Sequence, residues 1–196
     1  MIVLGLTGSI GMGKSTTASM FRALGVPVYD SDRGVHEIYE SKAPPEIERR
    51  FPEAIADGRI DRKRLGDLAF HHPEALKALE AVIHPIIKDK IDAFLASAAK
   101  AQKPIALLDV PLLFETDFWQ RTDVRIVVSA PADVQKERVL ARPQMDEAKL
   151  ERILARQTAD REKRARAHFV VETHFGLDHA RRQVETIVKA LLAFDR

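Results

Sequence analysis

Eight residues near the amino end, Gly8-Ser9-Ile10-Gly11-Met12-Gly13-Lys14-Ser15, spell G-x-x-x-x-G-K-S and constrain this chain more than any other feature. They follow an apolar run, Ile2-Val3-Leu4-Gly5-Leu6-Thr7, and lead into a stretch of helix formers from Ser15 to Leu24. A glycine-rich loop between a strand and a helix turns successive backbone N–H groups toward an anion, and the helix aims its positive end at the same point. Gly11, Met12, Gly13, Lys14, Ser15 and Thr16 are therefore the expected phosphate-binding residues. Lys14 reaches the terminal phosphates and the Ser15 hydroxyl faces Mg²⁺. The pattern implies a nucleoside triphosphate ligand held together with Mg²⁺.

The other apolar runs read as strands over Val26–Tyr29, Ile105–Val110, Val124–Ser129 and Phe169–Val171, with the first over Ile2–Leu6. Helical segments between them, such as Thr16–Leu24 and Leu177–Phe194, imply an α/β fold whose parallel sheet is covered on both faces. The stretch from Arg33 to Lys103 has no convincing strand. It shows helical patterns over Pro73–Ile83 and Pro85–Ala99, and turn signals at Pro44-Pro45, Pro52 and Asp57-Gly58. The expected organisation is a nucleotide-binding core over 1–32, 104–135 and 167–196, a helical insertion over 33–103 and a lid over 136–166.

In an open parallel sheet the ligand lies beyond the carboxyl ends of the strands, so residues just after each run carry the chemistry. Asp30-Ser31-Asp32 ends the second strand. There Asp32 fits two roles, a base that accepts the proton of an attacking hydroxyl or a cap on the following helix. Asp30 shapes the site beside it or reaches Mg²⁺ through water. Asp109 closes an apolar run, as does an aspartate that holds Mg²⁺, or it opens the turn into Pro111. Pro111-Leu112-Leu113-Phe114 offers an apolar patch for a ligand or for the core.

Between Lys136 and Arg166 there are ten Lys or Arg against six Asp or Glu, although the whole chain is only +2. Arg138 and Arg142 are spaced four apart, as are Arg152 and Arg156, which puts each pair on one helix face. The segment reads as a flap whose guanidinium groups close over a triphosphate, or as a solvated helix face. It lacks the interleaved aromatics of a nucleic-acid binder. His71-His72 reads as a loop before Pro73. His84-Pro85 falls between the two helical patterns and caps a helix or meets substrate. No His pair has a third metal ligand nearby.

Cysteine is absent, which excludes a disulfide framework and a thiolate zinc site. No apolar stretch approaches a membrane span, and Met1 leads straight into the first strand without a leader. A cytoplasmic protein is expected, with no membrane or nucleic-acid partner and in a monomeric or weakly homo-oligomeric state.

Together these residues resemble the dephospho-coenzyme A kinase family along nearly the whole chain. Leu6 to Thr16 is similar to that family's L-T-G-G-I-G-S-G-K-S-T loop, with Ser9 and Met12 replacing Gly and Ser. Asp30-Ser31-Asp32 resembles its D-A-D segment, which implies that Asp32 is the base. Ile83-His84-Pro85-Ile86-Ile87 resembles its H-P-x-[IV] segment, and Val110 to Glu115 its V-P-L-L-x-E. That assigns substrate contacts to Asp30, His84, Pro111, Leu112, Leu113 and Glu115. Arg138, Arg142 and Gln157 match the lid's R, R and Q, which implies a catalytic Arg138 and an ATP-binding Arg142. Ala167 to Thr173 departs from A-D-x-[VI]-[IL]-x-N by lacking its Asp and Asn, and Asp109 is not a dependable family position.

The resemblance implies a P-loop kinase core of five parallel strands with a helical substrate-binding insertion and a lid. The implied reaction is ATP-dependent phosphorylation of the ribose 3′-hydroxyl of dephospho-coenzyme A, which completes coenzyme A synthesis. The alternatives are another small-molecule kinase, acting on nucleoside monophosphates or shikimate, and a nucleotide-dependent switch. The guanine-reading N-K-x-D segment of such switches is missing.

Overall fold

The computed structural model describes residues 1–40, 44–61, 64–65, 68 and 73–194. His71-His72 lies outside them. The chain divides into two compact units, one of residues 1–29 with 97–196 and the other of residues 30–96.

The first unit is built on a five-stranded parallel sheet, as the apolar runs predict. Its strands are β1 (Ile2–Thr7), β2 (Val28–Asp30), β5 (Ile105–Asp109), β6 (Val124–Ser129) and β7 (Phe169–Glu172), in the order β2-β5-β1-β6-β7. β1 is central. Leu4 pairs in register with Leu107 on one side and Val124 on the other. β6 carries β7 on its far edge, with Ile126 opposite Phe169.

Alternation along each strand sends Leu4, Leu6, Ile105, Leu107, Ile126, Val128 and Val171 to one face. That face is covered by Ala18 and Phe21 of α1 (Lys14–Ala23) and by Ala180, Val184, Ile187, Val188 and Leu191 of α8 (Leu177–Phe194). On the other face Gly5 has no side chain, and Leu113 and Thr122 fill the space, their atoms 2.9 and 2.8 Å from where a Cβ would stand. The segment after β5 is thereby pressed onto the central strand. Three helices follow β6: α5 (Ala132–Leu140), α6 (Glu147–Leu154) and α7 (Asp160–Arg166).

The second unit contains α2 (Ser31–Glu40), α3 (Pro45–Arg50), strands β3 (Ile55–Ala56) and β4 (Arg59–Ile60), and most of α4 (Pro73–Lys100). Ile38, Ile47, Phe51, Ile60, Val82, Ile87 and Ile91 are buried. Two expectations are corrected here. The insertion does hold strands, an antiparallel pair joined by Asp57 (φ 51°) and Gly58 (φ 71°), the positive angles of a two-residue hairpin turn. Strands of two residues are too short to leave an alternation pattern. The second correction is that the patterns on either side of His84-Pro85 form one helix, with Pro85 inside it. Proline removes a single N–H, that which would reach the Ala81 carbonyl, and the buried Val82, Ile83, Ile87 and Ile91 hold the helix together across the gap.

Pro85 is exposed, so its ring contributes little packing. Pro85→Ala restores the missing helix bond, and urea unfolding of the variant is expected to show a gain of about 1–3 kcal/mol.

Candidate functional site

The loop between β1 and α1 is held by contacts to its carbonyls. Gln135 Nε2 donates to the Ile10 oxygen at 2.7 Å, Thr173 Oγ1 donates to the Met12 oxygen at 2.8 Å, and Arg138 Nη1 lies 3.5 Å from the Gly11 oxygen. In a trans peptide the N–H points opposite the C=O. Carbonyls tied to neighbouring elements therefore leave the Gly11 and Gly13 amides facing the other way, as an anion cradle needs. Ile10 N–H donates to Gln157 Oε1 at 3.2 Å, and the Ala130 amide donates to the buried Met12 thioether. Gly11 has φ 79°, and a Cβ there would stand 2.6 Å from a Val139 methyl, so only glycine lets the loop lie this close to α5.

Helix α1 starts directly after this loop, with Gly13 as its N-cap (φ 93°). No side chain caps it and its first turn holds no acidic residue. The end of the helix thus offers unfilled donors and positive potential to an anion. Lys14 Nζ bonds Asp109 Oδ1 at 2.5 Å, and the Asp109 side chain is only 2% exposed. Asp109 therefore serves as the lysine's counter-ion here. Ser15, in the first turn of α1, is exposed. Among the described residues no cluster of three His, Asp or Glu is present. A hydroxyl and a carboxylate still fit Mg²⁺, which takes one or two protein oxygens and completes its shell with phosphate and water.

A cavity of about 340 Å³ opens beside the loop, and its walls include Gly13, Thr16, Met20, Arg142, Thr173 and Leu177. Arg138 also lines it. Neither arginine pair lies within one helix, contrary to the expectation from spacing: α5 ends at Leu140, before Arg142, and α6 at Leu154, before Arg156. Pro143 disfavours helical backbone at Arg142, so the pair does not share a helix face. Arg138 and Arg142 meet at the cavity by way of the turn instead. Other arginines of the segment serve packing. Arg164 Nη1 donates to Ser129 Oγ at 3.1 Å, and the Arg166 guanidinium lies 4.2 Å from the centre of the Phe114 ring.

After β5, Thr7 Oγ1 donates to the Pro111 oxygen at 2.8 Å, tying this turn to the end of β1. Leu113 is fully buried and Leu112 is 40% exposed. Leu113 is thus core, and Leu112 is the apolar residue that the turn presents to solvent. Glu115 Oε1 accepts from the Thr158 amide at 2.6 Å and lies 3.2 Å from Lys163 Nζ, a lysine with no exposed surface. Burial raises the Glu115 pKa, but the Thr158 amide and the Lys163 charge outweigh it and hold the carboxyl below its ordinary value.

In the second unit, Asp30 Oδ1 accepts from the Arg33 amide at 3.1 Å. The helix cap after β2 is therefore Asp30. Asp32 is exposed in the first turn of α2, and His84 is half-buried within α4. Sequence reasoning missed Gln135, Thr173 as an anchor, and Lys163. Gln135 and Lys163 belong to no motif, and Thr173 stood out only as a departure from an expected asparagine.

The chain is similar to known proteins over almost all its length. The model of the family described as dephospho-CoA kinase matches residues 2–178. The dephospho-CoA kinase of Mesorhizobium japonicum is 53% identical over 191 residues, covering 97% of each chain. Among solved structures, TT1252 from Thermus thermophilus is 38% identical with a TM-score of 0.83, covering 98% of this chain and 96% of that one. The dephospho-CoA kinase from Campylobacter jejuni is 25% identical with a TM-score of 0.65, covering 96% of both.

The buried Glu115–Lys163 pair yields a stability prediction. Lys163→Met leaves the carboxylate without its cation, and urea unfolding at pH 7 is expected to show a loss of about 3–5 kcal/mol. The Glu115 pKa is depressed in the folded state, so its contribution is present above the ordinary carboxylate value and lost as pH falls through the folded one. The gap between wild type and variant should therefore narrow below about pH 4.

Proposed function

The chain belongs to the dephospho-CoA kinase family, and from this premise we infer its reaction: transfer of the γ-phosphoryl group of ATP to the ribose 3′-hydroxyl of dephospho-coenzyme A, giving ADP and coenzyme A. The observation that carries the reading is the uncapped α1 terminus behind a loop whose carbonyls are anchored away from it. That arrangement is suited to a polyphosphate. Family membership selects the acceptor.

The loop amides, the end of α1 and Lys14 hold the β- and γ-phosphates, and Lys14 exchanges Asp109 for them. Ser15, with Asp109 as a second candidate, would hold Mg²⁺, which when bound would neutralise charge on the phosphate chain. Arg142 contributes positive charge from the cavity wall, and Arg138 from beside Gly11. Asp32 accepts the 3′-hydroxyl proton as that oxygen bonds to the γ-phosphorus and the bond to ADP breaks. The assignment is supported by the match to the family's D-A-D segment and by the cap role lying with Asp30. Asp30 acts on the substrate side by fixing the start of α2. His84, Pro111 and Leu112 supply substrate contacts, while Leu113 and Glu115 act by holding the turn that presents them. Positioning and charge stabilisation account for the acceleration, with no covalent enzyme intermediate.

Among the described residues no helix is long and apolar enough to cross a membrane. A small-molecule acceptor and a nearly balanced charge support a cytoplasmic enzyme with no nucleic-acid partner, working as a monomer or weak homo-oligomer.

Mass spectrometry after incubation with ATP, Mg²⁺ and dephospho-coenzyme A is expected to find coenzyme A as product. Phosphorylation of a nucleoside monophosphate or shikimate in its place would overturn the acceptor. Asp32→Asn should lower kcat by about 10²–10⁴-fold with ATP affinity nearly unchanged. Unaltered turnover in that variant would remove Asp32 from the proton transfer.

A further inference from the structure

Thr173 follows β7 directly, where the family's pattern carries asparagine, and each of its polar atoms is engaged. Its amide donates to the Ser129 oxygen at 3.0 Å. Its carbonyl accepts from Arg138 Nη2 and its hydroxyl from Arg138 Nη1, both at 2.9 Å. The hydroxyl has one proton, and the Met12 oxygen at 2.8 Å is a closer acceptor than the Ser129 oxygen at 3.5 Å. The side chain therefore donates into the phosphate loop and accepts from Arg138. It also packs against that loop, its methyl 3.3 Å from where a Gly13 Cβ would stand.

We propose that Thr173 is a positioning residue for nucleotide binding, its hydroxyl fixing the Met12–Gly13 peptide so that the Gly13 amide faces the phosphates while Arg138 is held against the loop. The Met12 carbonyl cannot turn inward without giving up this bond, and its plane sets the direction of the next N–H. The same oxygen terminates the Arg138 guanidinium, so one hydroxyl sets both an amide donor and a cation. This deepens the kinase reading and rests on it. The effect falls on the nucleotide rather than on the acceptor, because Thr173 lines the cavity beside Gly13.

The test compares Thr173→Val and Thr173→Ala, which lack the hydroxyl, with Thr173→Ser, which keeps it, using MgADP calorimetry and steady-state kinetics. Loss of a charge-assisted hydrogen bond at a binding loop predicts affinity for MgADP weakened about tenfold in Val and Ala. The KM for ATP should rise to match, with the KM for dephospho-coenzyme A within about twofold of wild type. Ser should restore nucleotide affinity. Equal MgADP affinity in wild type, Val and Ala, or a Ser variant as weak as Ala, overturns the proposal, as does parallel loss of affinity for both substrates. If Val misfolds, the Ala and Ser pair decides between the same outcomes. Failure of the wild type itself to take up MgADP would instead sink the kinase reading.

Discussion

The active architecture depends on which way a few peptide planes face. A glycine-rich loop has no intrinsic reason to keep its amides pointing at one spot, because glycine admits many conformations. Here the choice is imposed from outside. Side chains from α5 and from the end of β7 take hold of the Ile10 and Met12 carbonyls, and the side chain of Gln157 takes the Ile10 amide. The amides that remain are left to the ligand. The sheet supports this by laying β6 against β1 and β7 against β6, since the anchors follow the carboxyl ends of those two strands.

Charge in the first unit follows the same division between what is held and what is offered. Lys14 and Asp109 satisfy one another, which removes the cost of a lone buried carboxylate. Glu115 and Lys163 form a second enclosed pair that joins the turn after β5 to α7. Three cations of the basic stretch are engaged within this unit, Arg164 on Ser129, Arg166 on Phe114 and Lys163 on Glu115. Only some of its guanidinium groups reach the cavity.

Much of this was legible in the sequence. Strands buried on both faces leave unbroken apolar runs, and all five sheet strands fall within two residues of those runs. The loop motif fixes its own flanking elements. Where one local signal competed with a wider one, the sequence misled. Pro85 broke the helical pattern on paper, but a single lost bond is small beside the apolar burial on either side. A four-residue spacing put Arg138 and Arg142 on one face, yet Pro143 ends the helix between them. A hairpin with two-residue strands is too brief to show a period. Contacts such as Gln135 to Ile10 join residues far apart in the chain, and no spacing rule reports those.

The anchoring of the loop has a consequence for how the protein comes into being. Met12 and Thr173 are separated by 161 positions, and Ile10 and Gln135 by 125. During synthesis the phosphate loop emerges first and its clamps emerge last, after the whole second unit has been made. A nascent chain that has not yet released β7 has the motif and its Ile10 clamps but lacks the Thr173 hold on Met12. The orientation of the loop is therefore completed late in synthesis, and such long-range closure is also the slow kind of folding step.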